Sequence, residues 1–218
     1  MTLQFFGHPF SSYTQKVLIA LWADDTPFEY RMLDQDHPEN FDELKRHSPF
    51  GLFPLLLDEG RPVIETTCII EHLQAHHPGP NCWIPHGETG RRVRFLDRFF
   101  DLHVMSNMQV PVLNKLRPDG TQDEFGEARA RERLHTAYDW LEANLGDGPW
   151  AVGDQFTLAD CAAAPSLFYA DWVEEIGPKR PKLWAYRSRL LAHPTVARAV
   201  DEGRPYRSYF PLGAPDRD

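Results

Sequence analysis

The segment from Ser48 to Asp58 constrains the fold of this chain more than any other, because a proline opens its short apolar strand and turn residues follow it. Proline cannot donate to a sheet ladder, so Pro54 is expected at the head of a strand whose edge stays open, after a cis peptide bond. Glu65 and Thr66 then form the polar start of a helix, where unpaired N–H groups and the helix dipole favour a carboxylate. Together these features predict a site for a small anionic peptide.

The first 78 residues alternate short apolar runs with helical patterns in the order βαβαββα. The predicted strands are Leu3–Phe6, Phe28–Leu33, Leu55–Leu57 and Val63–Ile64, and the predicted helices are Tyr13–Trp22, Glu39–His47 and Thr66–His76. A tight turn joins the last two strands, so we expect an α/β domain over residues 1–78 with a mixed sheet. Prolines and a glycine indicate a linker over 79–87, and helical spacing without strands predicts an all-α domain over 88–218.

Composition excludes several classes of function. The formal net charge of −9 argues against nucleic-acid binding, which needs a basic surface. The cysteines Cys68, Cys82 and Cys161 form no CxxC pair, which favours a reducing compartment. No basic segment precedes an apolar run at the start, and no stretch approaches about 18 apolar residues, so we expect a cytoplasmic protein without a membrane span.

The hydroxyls of Ser11, Ser12 and Tyr13 stand at the start of the first helix, where they can cap the helix or donate to an anion. This segment resembles the soluble glutathione transferases. Ser11 lies six residues before Val17, where serine-type classes such as zeta and tau carry the catalytic serine. Residues 153–160 resemble that family's C-terminal capping segment, with a capping box over 157–160.

The resemblance implies a bacterial-like, cytosolic glutathione transferase of the serine type, with a thioredoxin-like N-terminal domain and a helical C-terminal domain. Glutathione would be the substrate, and its thiolate would attack a small apolar electrophile in a detoxification reaction. Ser11 would be catalytic by donating to that thiolate, although Ser12 and Tyr13 remain alternatives. The glutathione-binding residues would be Phe53, Pro54, Glu65 and Thr66.

One position departs from the family pattern. Leu52 stands where the family often places a lysine or glutamine for the glycine carboxylate of glutathione. His37, Lys45 or Arg46 would then have to supply the cation, and the spacing selects none of them. Rival functions are a glutathione-dependent isomerase or dehalogenase of the same family, or a non-catalytic interaction module, which the loss of a cation at this position favours.

The electrophile pocket and the oligomeric state are expected from the helical half. Pockets form between domains, so the predicted substrate pocket comprises Phe10, His103, Tyr169 and Trp172. The family implies a homodimer, and the apolar stretch Arg94–Met108 is expected to supply exposed surface for it.

One group of residues has a spacing that could offer metal ligands. Cys68, His72 and His76 recur every four residues on one helix face. One face of one helix rarely closes a tetrahedral site and no fourth ligand is evident, so we expect core packing and no metal.

Overall fold

The computed structural model describes residues 3–218. Its sheet has the order β2-β1-β3-β4, with β1 parallel to β2, β1 antiparallel to β3 and β3 antiparallel to β4. The strands are β1 (Leu3–Gly7), β2 (Phe28–Met32), β3 (Leu55–Asp58) and β4 (Arg61–Ile64). The helices among them are α1 (Ser12–Ala23), α2 (Pro38–His47) and α3 (Thr66–His76). The predicted βαβαββα order and mixed sheet are confirmed.

The rest of the chain is helical, as predicted. Its α-helices are α4 (Gly87–Phe99), α5 (Ser106–Lys115), α6 (Glu124–Asn144), α7 (Leu158–Val173), α8 (Pro181–Ala192) and α9 (Pro194–Gly203). A π-helical segment, Phe100–Met105, joins α4 to α5, and a 3₁₀ segment, Arg204–Tyr209, follows α9. Within residues 3–218, the helices are all too short or too polar to cross a bilayer.

Most of the apolar side chains of the stretch Arg94–Met108 lie in the core, so the stretch offers less exposed apolar surface than expected. Phe100, Val104 and Met105 are buried, whereas Phe95 and Leu102 reach solvent. The reason is that α4 and the π-helical segment both pack against α7, so one face of this run is covered within the chain itself.

The two halves share one hydrophobic core. Helix α1 packs against α7 and α9, and Val17, Leu18 and Leu21 of α1 are fully buried. Helix α7 is buried along most of its length rather than amphipathic, because helices from both halves surround it. This packing fixes the start of α1 relative to the helical half.

The predicted capping box at the start of α7 is present and is reinforced by tertiary contacts. The Asp160 carboxylate accepts from the Thr157 backbone N–H at 2.9 Å and from the Ala151 N–H at 2.8 Å. The Tyr186 hydroxyl donates to the same carboxylate at 2.7 Å. A buried carboxylate with several donors anchors three segments at once, which a solvent-exposed cap does not do.

Candidate active site

A cleft of about 750 Å³ lies between the sheet domain and the helical half. On one side it is lined by the start of α1, residues 48 and 50–54, and the β4–α3 junction over residues 64–68. On the other side stand Arg98 of α4, Asp101 and Leu102 of the π-helical segment, and two residues of α5. The cleft therefore combines the predicted peptide site with one helical face.

The peptide bond between Phe53 and Pro54 is cis, as predicted. The prediction that this strand has an open edge is wrong, because β3 is a central strand that pairs with β1 on one side and with β4 on the other. Pairing begins at Leu55, so the backbone facing the cleft is the Phe53–Pro54 step just before the ladder. A ligand backbone would meet the end of a central strand rather than the side of an edge strand.

The junction between β4 and α3 presents backbone N–H groups to the cleft. Glu65 has φ 70°, a conformation that non-glycine residues rarely adopt, and α3 begins at the next residue, Thr66. No side chain within residues 3–218 caps this helix start. The N–H groups of its first turn and the positive end of the helix dipole can therefore meet an anionic group, as the sequence indicates.

Of the three candidate hydroxyls, Ser11 and Tyr13 line the cleft and Ser12 does not. Ser11 is the N-cap of α1, and its Oγ accepts from the Thr14 N–H at 3.3 Å. Its hydroxyl hydrogen is not used in that bond and can be donated to a ligand. Burial, with the negative charges of Asp101 and Glu65, raises the pKa of Tyr13 to about 12. Tyr13 is therefore a neutral phenol at physiological pH.

A buried ion cluster, which sequence reasoning missed, supports the floor of the cleft. Lys16 Nζ lies 2.7 Å from a carboxylate oxygen of Asp97 and 2.7 Å from one of Asp101. The Thr67 hydroxyl donates to Asp97 at 2.8 Å and accepts from Lys16 at 3.2 Å. Burial alone would lower the pKa of Lys16, but the two carboxylates outweigh it and raise that pKa. The cluster ties α1, α3 and α4 together beside the cleft.

The four residues of the predicted electrophile pocket lie outside the cleft. Phe10, Tyr169 and Trp172 pack together, with ring centroids 5.3–6.4 Å apart, around a much smaller void. His103 is exposed and its ring rests on Phe99 at 5.0 Å. The end of α9, the 3₁₀ segment and Phe210 cover the aromatic group, so it belongs to the core between the halves.

The helical wall of the cleft instead comes from residues that we did not predict: Arg98, Asp101, Leu102, Ser106 and Gln109. Their spacing of three or four residues puts them on one side of a helical run. This periodicity is the sequence signal that could have identified them as neighbours on one wall. Of the cleft-lining residues, Arg98 is the one with a permanent positive charge. The candidate cations His37 and Arg46 instead pair with Asp34 and Glu43, respectively.

Cys68 does not pack in the core as the sequence predicts, because its side chain is exposed. Cys68 lines the cleft, and His72 stacks on His76 with ring centroids 4.4 Å apart. His72 instead points its Nε2 at Asp58, at 2.8 Å, and so does His77, at 2.7 Å.

Comparison with known proteins gives the same family for both halves. The family model "Glutathione S-transferase, N-terminal domain" matches residues 5–81, and "Glutathione S-transferase, C-terminal domain" matches residues 124–189. The curated protein glutathione S-transferase GstB of Escherichia coli (strain K12) is 25% identical over 201 residues, covering 89% of this chain and 95% of its own length.

Two further relatives extend the comparison. A probable maleylacetoacetate isomerase of Caenorhabditis elegans is 29% identical over 168 residues, or 74% of this chain and 75% of that protein. A crystal structure of a glutathione S-transferase from Methylobacterium radiotolerans, in complex with glutathione sulfonate, has a TM-score of 0.79 and 26% identity, covering 92% of this chain and 95% of that one. With a thioredoxin-like N-terminal half and a helical C-terminal half each matched in order, the chain belongs to the glutathione S-transferase family.

Proposed function

We propose that this protein is a serine-type glutathione transferase that binds glutathione in the cleft and uses its thiolate to attack a small apolar electrophile. The observation that carries the proposal is the meeting of three features around one cavity: the uncapped start of α3, the backbone at Phe53–Pro54, and the Ser11 hydroxyl. The first suits a carboxylate, the second a peptide backbone and the third a thiolate. Residues 1–78 would be the glutathione-binding domain, joined through 79–87 to the helical domain 88–218.

Glutathione would lie with its γ-glutamyl end at Glu65 and Thr66 and its cysteinyl backbone against Phe53. A cysteine thiol has a pKa near 8.5, so at neutral pH the protein must favour the thiolate. Donation from the Ser11 hydroxyl to the sulfur stabilises the charged form, and the thiol proton passes to solvent. The thiolate then forms a C–S bond with the electrophile, while the leaving group departs with the electron pair of the bond that breaks.

We place the electrophile against exposed apolar side chains of the cleft rather than at Phe10, His103, Tyr169 and Trp172. Phe50, Leu52 and Leu102 line the cleft and are 71%, 65% and 49% exposed, respectively. Arg98, on the opposite wall from α3, would balance a carboxylate of glutathione, which supports binding despite Leu52.

The cellular setting belongs to the same proposal. We place the protein in the cytoplasm, as a homodimer that removes reactive electrophiles. The exposed apolar side chains of the cleft rim and of α5 support self-association, since a monomer rarely leaves so many uncovered.

Binding and turnover test the proposal in two separate measurements. Isothermal titration with glutathione should give saturable binding at millimolar concentration or below, and a chloro-aromatic acceptor should be conjugated with release of chloride. Binding without conjugation would favour the isomerase or dehalogenase alternatives. Failure to bind glutathione would contradict the proposal and favour a non-catalytic interaction module.

A glutathione-dependent isomerase is the second candidate, favoured by the 29% identity to the probable maleylacetoacetate isomerase. In that reaction the thiolate would add to a carbon–carbon double bond, the new single bond would rotate, and the thiolate would leave again. Glutathione would not be consumed. Isomerisation of maleylacetoacetate with catalytic amounts of glutathione would distinguish this function from conjugation.

A further inference from the structure

Three side chains converge at the far end of β3 from the cleft. His72 Nε2 and His77 Nε2 lie 2.8 Å and 2.7 Å from the same oxygen, Oδ2 of Asp58. All three ligand atoms fall within 4.8 Å of one another. The strand between Leu55 and Asp58 is about 10 Å long at 3.3 Å per residue, which separates this cluster from the cleft.

The cluster is held by rigid backbone. Asp58 ends β3 and pairs with Arg61 across a turn in which Glu59 and Gly60 both have positive φ, of 52° and 78°. Two such residues form the tight hairpin turn that matches the twist of paired strands. His72 lies on α3, and His77 closes that helix by donating its N–H to the Leu73 carbonyl at 2.8 Å. Two regular elements therefore aim the three side chains at one point.

We propose that Asp58, His72 and His77 form a binding site for a divalent late transition metal, with Zn²⁺ as the favoured ion. Two imidazoles and one carboxylate are a donor set that Zn²⁺ accepts with one position left for water. Mg²⁺ and Ca²⁺ are disfavoured because they require mostly oxygen ligands. This site is separate from the glutathione cleft and takes no part in the proposed transfer reaction.

Binding of Zn²⁺ requires the three ligand atoms to move slightly apart. Ligands about 2.1 Å from a tetrahedral Zn²⁺ stand about 3.4 Å apart, so each imidazole has to move away from Asp58 by about 0.6 Å. The side chains have room to do so, since 16% of Asp58, 22% of His72 and 34% of His77 is exposed. His77 also borders a surface hollow of about 380 Å³, which leaves space beside it for water.

The bound ion would replace two N–H donors by two metal–nitrogen bonds. Each imidazole binds the ion through an unprotonated Nε2 and carries its single ring proton on Nδ1, so the ligands are neutral imidazoles and an ionised carboxylate. The ion would link the β3–β4 hairpin to the end of α3. Because the unfolded chain does not hold the three ligands together, binding should raise the melting temperature.

Titration of the full chain tests the site. The protein is stripped with a chelator and carries Cys68→Ser and Cys82→Ser, because these exposed thiols are competing zinc ligands. We expect one equivalent of Zn²⁺ to bind in calorimetry, a rise in melting temperature, and a tetrahedral visible absorption band with Co²⁺. Losing only a hydrogen-bonding partner of a metal ligand costs roughly 10–100-fold in metal affinity. His72→Gln and His77→Gln remove a ligand itself, so each should lower the affinity for Zn²⁺ by at least that factor.

The controls separate this site from general metal binding. His86→Gln removes an exposed histidine outside the cluster and should leave Zn²⁺ affinity unchanged. Asp58→Asn keeps the side-chain shape, so a variant that folds normally by circular dichroism yet loses the Zn²⁺-induced rise in melting temperature supports ligation. No Zn²⁺ binding at micromolar concentration, or binding that His72→Gln and His77→Gln leave intact, would overturn the proposal.

Discussion

The Ser11 hydroxyl can cap a helix and donate to a ligand at the same time. Its oxygen accepts from the Thr14 N–H and so caps α1, while its hydrogen can be donated into the cleft. This division is possible because a hydroxyl is both donor and acceptor. It also means that a Ser11 variant loses part of a helix cap, so activity and stability have to be measured separately.

Ser11→Ala should raise the pKa of the thiol of bound glutathione. A hydrogen bond to a charged acceptor contributes about 1.5–3 kcal/mol, which corresponds to one to two pKa units. Conjugation at neutral pH should slow accordingly, with a smaller effect on glutathione affinity. Ultraviolet titration of the bound thiolate measures the shift.

Two neighbouring hydroxyls supply controls for that experiment. Ser12 does not line the cleft, so Ser12→Ala should leave the thiol pKa unchanged. Tyr13 does line it, and its hydroxyl is neutral at physiological pH because its pKa is raised to about 12. A shift found in Tyr13→Phe and absent in Ser11→Ala would transfer the donor function to Tyr13.

At the scale of elements, α7 fixes the loop that carries Ser11. The Tyr169 hydroxyl of α7 donates to the Phe10 carbonyl at 2.8 Å, one residue before Ser11. Gln15 Nε2 donates to the Pro9 carbonyl at 2.9 Å and to the Tyr169 oxygen at 3.2 Å. Tyr169, which the sequence placed in the electrophile pocket, is in the structure a residue that positions this loop.

Tyr169→Phe should therefore lower the rate of conjugation more than it lowers the affinity for glutathione. Removing the hydroxyl leaves the partly buried Phe10 carbonyl without this donor, at a cost of about 1–3 kcal/mol in stability. We also expect a lower kcat and a raised thiol pKa with little change in KM, since Ser11 is displaced. Tyr138→Phe is the matched control, because the Tyr138 hydroxyl donates at 3.1 Å to the backbone carbonyl of Glu174, away from the cleft. Equal effects of both variants on the thiol pKa would rule out a specific positioning role.

Lys16 of α1 forms a buried ion pair with Asp97 of α4. Lys16→Met would leave Asp97 and the largely buried Asp101 without their cation, which should destabilise the fold by about 3–5 kcal/mol. Lys182→Met breaks a solvent-exposed pair with Asp147 and should cost less than about 1 kcal/mol. Urea unfolding measures the loss of unfolding free energy in each variant. A similar small loss in both would show that the buried cluster adds little to stability.

The ion cluster around Lys16 also predicts that the stability of the fold depends on pH. The pKa of Lys16 is raised in the folded state above its ordinary value of 10.5. A raised lysine pKa contributes stability that is fully present below pH 10.5 and is lost as the pH rises through the folded-state value. The difference in unfolding free energy between wild type and Lys16→Met should therefore shrink above pH 10.5.

At the scale of the whole molecule, exposed apolar surface favours association. Within residues 3–218, six large hydrophobic side chains are at least 60% exposed: Phe50, Leu52, Leu113, Leu116, Phe125 and Tyr209. We expect a homodimer of twice 25.2 kDa in sedimentation at micromolar concentration. Leu116→Lys, which removes one of these side chains, should not change the fold. A single 25.2 kDa species in the wild type would contradict the dimer.

The sequence by itself determined the elements and the family. Strand and helix periodicities, the prolines and the Asp58–Gly60 turn are local signals, and they predict the βαβαββα order followed by helices. The segments around Pro54, Ser11 and the capping box are also local, and their residues alone indicate the family. Each of these features depends on residues close together along the chain, so the chain can specify them without distant contacts.

Only the tertiary structure decided which distant side chains meet. Lys16 with Asp97, Tyr169 with Phe10, and Asp58 with His77 are brought together by packing between separate elements. The packing of Phe10, Tyr169 and Trp172 outside the cleft was not predicted for the same reason, since a pattern of aromatic residues does not tell a packed core from a cavity wall. Periodicity indicates which face of a helix is apolar, but the partner of that face depends on how α1, α4 and α7 pack, and this is a property of the whole fold.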